Sequence, residues 1–398
     1  MNAPQSSSSS TLSTLSPLEA ARKIAPLVRE NAGEIEKTRE LPRPVFEAIA
    51  DAGLFLLCVP KSLGGGEIDF PTQIRIAEVL GLADASTAWA VDQGMTFASF
   101  SAYMQPDAAR EIWTNTPRSV VSNSPSPTAK AVAVPGGYRV TGRQPFSTGI
   151  KHASWVAAHA QVIENGVVRQ HNGKPEARYC LIPKREVEVI DAWHTKGMRG
   201  TGTHTFDVKD VFVPEARTVF PRGAQLISPG PRYKIPVTLG FAAGDGMVAL
   251  GLARNCLEAF YEVAGSKAPR NMTGLLREQS ITQLAAGQAE AALRAGRAYL
   301  LSAAQEIWAS AVATSEPVAS LESRINLRLA STHAIRLAAQ VVDGLHPLCG
   351  ATVVFDGHLI QRLFNDMHVI TQHSQGRFQH YEISGKYYTG LEIDEGRL

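Results

Sequence analysis

The apolar and polar positions of the chain follow three successive patterns. Between residues 18 and 119, apolar side chains recur every three or four positions, which predicts helices. Between 120 and 225, short runs rich in β-branched and aromatic residues are separated by turn pairs such as Asn165-Gly166 and Asn172-Gly173, which favours hairpins in an antiparallel sheet or small barrel. Between 226 and 398 the helical spacing returns.

This order predicts a mainly α-helical protein with a central antiparallel β-domain. We expect a disordered Ser-rich tail at 1–17, an N-terminal helical domain at 18–119, a β-domain at 120–225 and a C-terminal four-helix bundle at 226–398. The order argues against a dinucleotide-binding Rossmann unit, because that unit requires alternating strands and helices.

Composition narrows the possible function classes. The 398 residues include 39 Lys and Arg against 37 Asp and Glu, and the resulting net charge of +2 gives no electrostatic reason to bind nucleic acid or an anionic membrane. No run approaches the ~20 apolar residues of a bilayer span, and the first residues do not resemble a secretory signal. Four scattered cysteines indicate reduced thiols in a cytoplasmic protein, and no His or Cys spacing predicts a metal site.

Three polar segments are candidates for a binding site. The glycine-rich segment Gly197–Gly202 leads into a strand, so it is either a loop whose backbone approaches a flat ring or an ordinary hairpin turn. The hydroxyls of Ser147–Gly149 either meet a ligand or form a local turn. His368 and His373 are five residues apart in what we expect to be the last long helix, so at most one of them faces a given pocket, and either can be an ordinary core or surface histidine.

Several segments match, in order and separation, the motifs of one protein family. They are Leu54-Phe55 with Val59-Pro60 and Gly64-Gly65-Gly66, Tyr138–Arg143, Ser147–Gly149 with His152–Trp155, Gly197–Gly202 with Asp210–Pro214, and Gln361–Asp366. Together, over nearly the whole chain after the serine tail, they resemble the acyl-CoA dehydrogenase superfamily of flavoproteins. The resemblance implies an N-terminal helical domain, a middle β-domain, a C-terminal four-helix bundle, a homotetramer, and flavin between the β-domain and the bundle.

The superfamily contains two chemistries, and one position separates them. In many dehydrogenases a glutamate base within a Tyr-Glu-Gly triplet follows, by eight residues, the aspartate that Asp366 resembles. Here that position is Ser374, preceded by His373. Glu382 follows too late, by ~12 Å along a helix. The resemblance therefore favours the two-component flavin-dependent monooxygenase branch. The alternatives are an acyl-CoA dehydrogenase with Glu382 as a relocated base and a flavin-binding protein without catalysis.

In the monooxygenase branch, the oxygenase component receives reduced flavin from a separate NAD(P)H:flavin reductase and forms a C4a-hydroperoxide with O₂. It then oxygenates a small aromatic, heterocyclic, sulfur or amine substrate. For this chain the resemblance implies reduced FMN (or FAD), proton handling by His373, and contact of Thr148 and Ser147 with the flavin near N5.

The resemblance also implies a set of binding residues. The cofactor-binding residues are expected to be Asn123, Ser124, Ser147, Thr148, Trp155, Arg199, Thr201 and Arg270. Arg270 is expected at the flavin phosphate, across a subunit interface. Several family members have a further histidine after an Asp-x-Ser stretch, which here is Asp84–Ser86, but this chain has Asp92–Met95 at that place. Trp89, Met95 and Phe97 are expected either to form an apolar substrate wall or to pack in the core.

Overall fold

The computed structural model describes residues 15–221, 223 and 225–398. The predicted Ser-rich tail lies outside the described residues up to position 14. The N-terminal helices are α1 (Pro17–Thr38), α2 (Arg43–Asp51), α3 (Phe70–Ala83), α4 (Ala85–Phe97) and the short α5 (Pro106–Ala109). Ser16 begins α1 with a reciprocal capping box to Glu19.

A single residue, Asp84, separates α3 from α4. Its backbone is extended, and its carboxylate accepts hydrogen bonds from the backbone N–H of Thr87 at 2.7 Å and from the Thr87 hydroxyl at 2.8 Å. A side-chain oxygen at this position satisfies backbone donors that the first helical turn leaves unpaired. Asp84 therefore ends one helix and begins the next, which fixes the direction of α4.

The middle of the chain forms the strands β1 (Val121–Asn123), β2 (Ala129–Val134), β3 (Gly137–Ser147), β4 (Trp155–Glu164), β5 (Val167–Val168), β6 (Gln170–His171), β7 (Lys174–Pro175), β8 (Ala177–Pro183), β9 (Glu188–Ile190), β10 (His204–Pro214) and β11 (Thr218–Val219). The main sheet has the order β11-β8-β4-β2-β3-β10-β9, with β1 and β5 on β4. The hairpins at Asn165-Gly166 and Asn172-Gly173 are confirmed.

The predicted antiparallel arrangement needs one correction, because β4 pairs in parallel with both β1 and β2. The strand β3 returns from its hairpin to the end of the sheet where β2 begins. The segment 148–154 then takes the chain across that end, so β4 enters on the other side of β2 and runs in the same direction. The central domain is therefore a mixed sheet.

The C-terminal helices are α6 (Val237–Ser266), α7 (Ser280–Ala313), α8 (Leu321–Cys349), α9 (Leu359–Ile370) and α10 (Gln379–Tyr388). They confirm the predicted helical bundle, in which α6 is largely buried between α3 and α8. Where α3 and α6 cross, a methyl group at Gly251 would lie 2.7 Å from the Glu78 carbonyl oxygen, so the helices approach at backbone distance. No helix in the described part of the chain is long and apolar enough to cross a membrane.

Candidate functional site

The helix α4 connects the parts of the molecule that carry the predicted site residues. On one side a methyl group at Gly94 would lie 3.2 Å from a side-chain carbon of Val120, at the entry to the sheet. Near its start, a methyl group at Gly200 would lie 3.0 Å from Ser86 Cβ. In between, Trp89 meets His373 edge to face, with ring centroids 5.0 Å apart. The sheet, the glycine-rich loop and the segment after α9 therefore surround one helix.

The prediction that His373 lies in the last long helix is wrong. α9 ends at Ile370, and His373 precedes a short helical turn at Ser374–Gly376. The helix ends here because Arg336 of α8 donates hydrogen bonds to the carbonyl oxygens of Thr371, at 3.3 Å, and Gly376, at 2.6 Å. Those bonds satisfy carbonyl groups that a continuing helix would use internally.

The segment that carries His373 is also fixed by two other side chains of α8. Thr332 donates a hydrogen bond to the Gln375 carbonyl oxygen at 3.0 Å, and the buried Arg328 donates to the Gln375 amide oxygen. Burial lowers the pKa of Arg328 to about 10. A segment held from one helix by three side chains keeps the imidazole of His373 in one place.

A carboxylate that the sequence analysis missed lies behind His373. Asp245 of α6 is fully buried, and its Oδ2 lies 3.0 Å from Nδ1 of His373. Its Oδ1 accepts a hydrogen bond from the Gln93 amide at 3.1 Å. Burial raises the pKa of Asp245, while the imidazole of His373 and the Arg328 guanidinium lower it in part. The available signal was a lone acidic residue inside the apolar run of α6.

A second buried carboxylate, Asp92, lies next to Asp245. A methyl group at Gly244 would lie 2.2 Å from Asp92 Oδ2, so this carboxylate packs directly on α6. Asp92 Oδ1 lies 3.4 Å from the Thr96 hydroxyl, and burial followed by the charge of Asp245 raises its pKa well above the ordinary value. Two buried carboxyls, Asp92 and Asp245, therefore face each other between α4 and α6.

Ser147 and Thr148 stand at the end of β3, where the strand has a β-bulge. The pairing of β3 with β10 shifts between His204 and Phe206, and Phe146 takes a positive φ of 60°. The bulge leaves Phe146 exposed and turns Ser147 inward, where its hydroxyl is buried and has no hydrogen-bond partner among the described residues. Two neighbouring hydroxyls are thereby aimed at the end of the sheet.

A chain of hydroxyl groups continues from Thr148 into the loop before β10. Thr148 Oγ1 lies 3.0 Å from Thr203 Oγ1, which lies 2.7 Å from Thr201 Oγ1. The Thr201 hydroxyl donates to the Met198 carbonyl oxygen at 2.8 Å. The glycine-rich loop is anchored to α9, since the backbone N–H of Met198 donates to Asp366. Neither an ordinary hairpin nor a phosphate-binding loop describes this segment.

Three other residues that are predicted to bind the cofactor, Asn123, Ser124 and Trp155, are buried or nearly buried. Ser124 is buried and donates a hydrogen bond to the Pro145 carbonyl oxygen at 2.7 Å, which ties β1 to the end of β3 beside the nearly buried Asn123. The ring of Trp155 packs in a core cluster, with the Arg217 guanidinium 5.1 Å from its centroid. These residues border the same end of the sheet as Thr148.

The two arginines that are predicted to bind the cofactor have different surroundings. Arg199 is turned away to α1, where its Nε donates to the Glu36 carbonyl oxygen at 3.1 Å and lies 3.2 Å from the Glu36 carboxylate. Its place at the flavin edge stays a prediction without support from these contacts. Arg270 is exposed in the connection between α6 and α7, where a ligand or a second copy of the chain can reach it.

The predicted substrate-wall residues are separated by the fold. Trp89 is nearly buried and touches His373, so it borders the site. Met95 and Phe97 have no exposed surface, and Phe97 packs edge to face on Tyr179 at 5.1 Å. The core-packing alternative therefore describes Met95 and Phe97, while a place for Trp89 in the substrate wall stays a prediction.

Glu382 does not lie where a catalytic base is required. Its side chain is 61% exposed and pairs with Lys386 at 2.7 Å on the surface of α10. A solvated carboxylate in a surface ion pair has no buried position from which to take a substrate proton. These contacts weaken the alternative of a dehydrogenase with a relocated base.

The residues at the end of the sheet fit a flavin. The buried, unpartnered hydroxyl of Ser147 and the hydroxyl of Thr148 are suited to the polar edge of the ring, and His373 is positioned beside Trp89. Among the residues that the structure describes, no three His, Cys, Asp or Glu side chains are grouped so that they could hold a metal ion. The site is therefore built from hydroxyls, one imidazole and buried carboxyls.

Comparisons with known proteins agree with this arrangement. Residues 18–110 match the acyl-CoA dehydrogenase N-terminal domain, and residues 243–378 match the acyl-CoA dehydrogenase C-terminal domain. The chain is 29% identical to indole-3-acetate monooxygenase of Pseudomonas putida, over 93% of this chain and 92% of that protein. It is 28% identical to the flavin-dependent monooxygenase oxygenase subunit HsaA of Mycobacterium tuberculosis, over 94% of this chain and 95% of that protein.

A solved structure shows the same fold. The crystal structure of 3-HSA hydroxylase from Rhodococcus sp. RHA1 superposes with a TM-score of 0.87 at 25% identity, over 97% of this chain and 100% of that chain. With these similarities over nearly its whole length, the chain belongs to the acyl-CoA dehydrogenase superfamily, in the branch of flavin-dependent monooxygenase oxygenase components.

Proposed function

We propose that the chain uses reduced flavin, FMN or FAD, and O₂ to oxygenate a small aromatic or heteroaromatic substrate. The observation that carries the proposal is the pairing of the half-buried His373 with the fully buried Asp245 at the site, together with the exposure of Glu382. The names of the relatives support an aromatic substrate, because one acts on indole-3-acetate. Heteroatom substrates with sulfur or an amine belong to the same branch and form the remaining candidates.

The protein's own residues would supply binding, orientation and proton control. Bound reduced flavin supplies the activation of O₂. Ser147 and Thr148 would hold the polar edge of its ring, and Arg270 would meet its phosphate. Asn123, Ser124, Trp155 and Thr201 would complete the cradle at the end of the sheet. Trp89 would form the apolar wall and exclude water, and His373 would hold or move the proton at the substrate.

The proposal includes partners and an assembly. An oxygenase component needs reduced flavin from a separate NAD(P)H:flavin reductase. We propose that the protein works in the cytoplasm, a reducing compartment that suits its four free cysteines. We propose a homotetramer. Exposed apolar side chains on α7, among them Ile281 at 58%, Leu284 at 58% and Val312 at 56%, support packing against further copies.

The test is a reaction in ¹⁸O₂ with the purified chain, FMN or FAD, and a flavin reductase with NADH. Indole-3-acetate, a phenol, a thioether and an amine serve as separate probes, and mass spectrometry detects the products. We expect one ¹⁸O atom in the product of an aromatic probe. Oxidation of reduced flavin to H₂O₂ alone, with unlabelled probes, would contradict the proposal.

The dehydrogenase alternative has its own test. Anaerobic bleaching of oxidised flavin by an acyl-CoA would support it, and Glu382→Gln would abolish that bleaching. Under the proposed function, acyl-CoA does not bleach the flavin, and Glu382→Gln leaves the oxygenation rate unchanged because this side chain lies on the surface.

A further inference from the structure

We propose that Asp245 is a positioning residue that holds the Nδ1 proton of His373, so that Nε2 is the ring nitrogen that exchanges a proton at the substrate. The part of this inference that concerns Nε2 rests on the proposed function. The part that concerns the proton on Nδ1 concerns the two side chains alone.

The two facing atoms of Asp245 and His373 both need a hydrogen-bond partner. Asp245 Oδ2 and His373 Nδ1 are buried atoms 3.0 Å apart, and in the present orientation of the two side chains neither atom has a hydrogen-bond partner among the described residues. An unprotonated Nδ1 would place a lone pair against an ionised carboxylate oxygen, which costs free energy. A proton on Nδ1 satisfies both atoms and leaves the lone pair of the neutral ring on Nε2.

The carboxylate of Asp245 is itself held in one orientation. Gln93 donates a hydrogen bond to the other oxygen of Asp245, at 3.1 Å, which sets the direction of Oδ2. Trp89 contacts the imidazole edge to face and limits its rotation. Asp245 and Trp89 lie on different helices, so the ring is held from two sides.

The charges around Asp245 and His373 influence the ionisation state of Asp245. Burial raises the pKa of Asp245, and the imidazole of His373, the Gln93 amide and, from α8, the Arg328 guanidinium lower it in part. From α4, Asp92 faces Asp245, and burial followed by the charge of Asp245 raises the pKa of Asp92 well above its ordinary value, which favours its protonated form. From α10, burial and the neighbouring Arg328 lower the pKa of His380, which is therefore neutral. Of these groups, Asp245 is the one that lies against the imidazole of His373.

The experiment measures the titration of His373 in the protein without flavin. A protonated imidazole against an indole quenches its fluorescence, so the emission difference between wild type and His373→Gln, followed against pH, reports His373 through Trp89. Asp245→Asn keeps the side-chain volume and removes the charge. We expect it to lower the midpoint of this difference titration, measured against the double variant, by about one pH unit or more.

The matched control is Asp92→Asn, which alters the neighbouring buried carboxyl without touching His373. Because no hydrogen bond or ion pair joins Asp92 to His373 among the described residues, we expect a shift of less than about 0.3 pH units. If Asp245→Asn does not fold, Gln93→Met removes the hydrogen bond to Oδ1 and is expected to shift the midpoint in the same direction by a smaller amount.

The outcomes separate this inference from the proposed function. An unchanged midpoint in Asp245→Asn, or in Gln93→Met if only that variant folds, would overturn the role of Asp245 whether or not the enzyme oxygenates a substrate. A shifted midpoint, with product yield lowered at least about tenfold and its pH profile displaced in the same direction, supports it. Absence of oxygenated product in wild type would count against the proposed function alone, since the fluorescence titration still decides the state of His373.

Discussion

The hydroxyl of Thr148 is the donor, and that of Thr203 the acceptor, in their 3.0 Å contact. The direction of this hydrogen bond follows from Thr201, the last hydroxyl group in the chain of hydroxyls. Thr201 donates its proton to the Met198 carbonyl oxygen, so its own oxygen is left to accept from Thr203. Thr203 has then used its proton, and its oxygen accepts from Thr148. Thr148 Oγ1 therefore presents lone pairs and is suited to accept an N–H group of reduced flavin.

Thr148→Val removes this acceptor at nearly constant volume. We expect the share of consumed O₂ that is released as H₂O₂ to rise, because a flavin N–H would lose its partner. A lost hydrogen bond of about 1–3 kcal/mol corresponds to roughly 5- to 100-fold in the rate of H₂O₂ release. Thr148→Ser keeps the hydroxyl and should keep the wild-type ratio of product to H₂O₂. Equal ratios in the Val and Ser variants would remove Thr148 from the flavin site.

His373→Gln removes the ring nitrogens and keeps a polar side chain of similar size. We expect product formation to fall by about 100-fold or more, while the dissociation constant of the flavin stays within a few-fold. The control is His368→Gln, because His368 lies on the surface of α9, 2.9 Å from Asp343, in a pairing that contributes about 0–1 kcal/mol. Product per O₂ consumed and flavin fluorescence are the measurements. Wild-type yield in His373→Gln would exclude a role for this histidine.

The fold was largely predictable because its signals are local. The turn at Asn165-Gly166 places positive φ angles of 51° and 81° where these residue types tolerate them, and the order of helices and strands follows from the spacing of apolar residues. The parallel pairing of β4 with β2 was not predictable in this way, since nothing in either strand specifies its partner. Strand pairing is decided by the whole sheet.

The site was predictable only in part, because the burial of a side chain depends on distant parts of the chain. His373 and Thr148 occur in family motifs, whereas Asp245 belongs to no motif, and its one signal is that it is a lone acidic residue in the apolar run of α6. Met95 and Phe97 have the same apolar character as Trp89, and only the packing shows that they have no exposed surface. Burial of a polar residue and exposure of an apolar one both depend on what the rest of the chain brings against them.

Gly197→Ala is expected to destabilise the protein, because a methyl group there would lie 2.3 Å from the Asn365 carbonyl oxygen, where the glycine-rich loop meets α9. Overpacking against backbone costs about 1–3 kcal/mol. The control is Gly287→Ala in the exposed part of α7, where nothing lies within 4 Å, and which should raise the free energy of unfolding by about 0.5–1 kcal/mol. Urea unfolding measures both. A neutral Gly197→Ala would show that the loop is not docked on α9.

Asp366 should make the stability of the protein depend on pH. Burial, and then the charges of Asp84 and Glu36, raise its pKa to about 8, against an opposing hydrogen bond from Met198 N–H. Between the ordinary value of 3.8 and about 8, the folded state holds a proton on this carboxyl that the unfolded chain has released. The stabilisation is therefore complete below the lower value and is lost as the pH rises through the window, by up to about 1.4 kcal/mol per pH unit.

Asp366→Asn removes the titration and keeps an oxygen that can accept from the Met198 N–H. We expect the free energy of unfolding of this variant, relative to wild type, to increase with pH from about 4 to 8, because over this range only wild type must take up a proton on folding. Urea unfolding of both proteins at one-unit intervals measures the difference. Parallel curves would mean that Asp366 is ionised in the folded state, and the anchor of the glycine-rich loop would then be a buried carboxylate rather than a neutral acid.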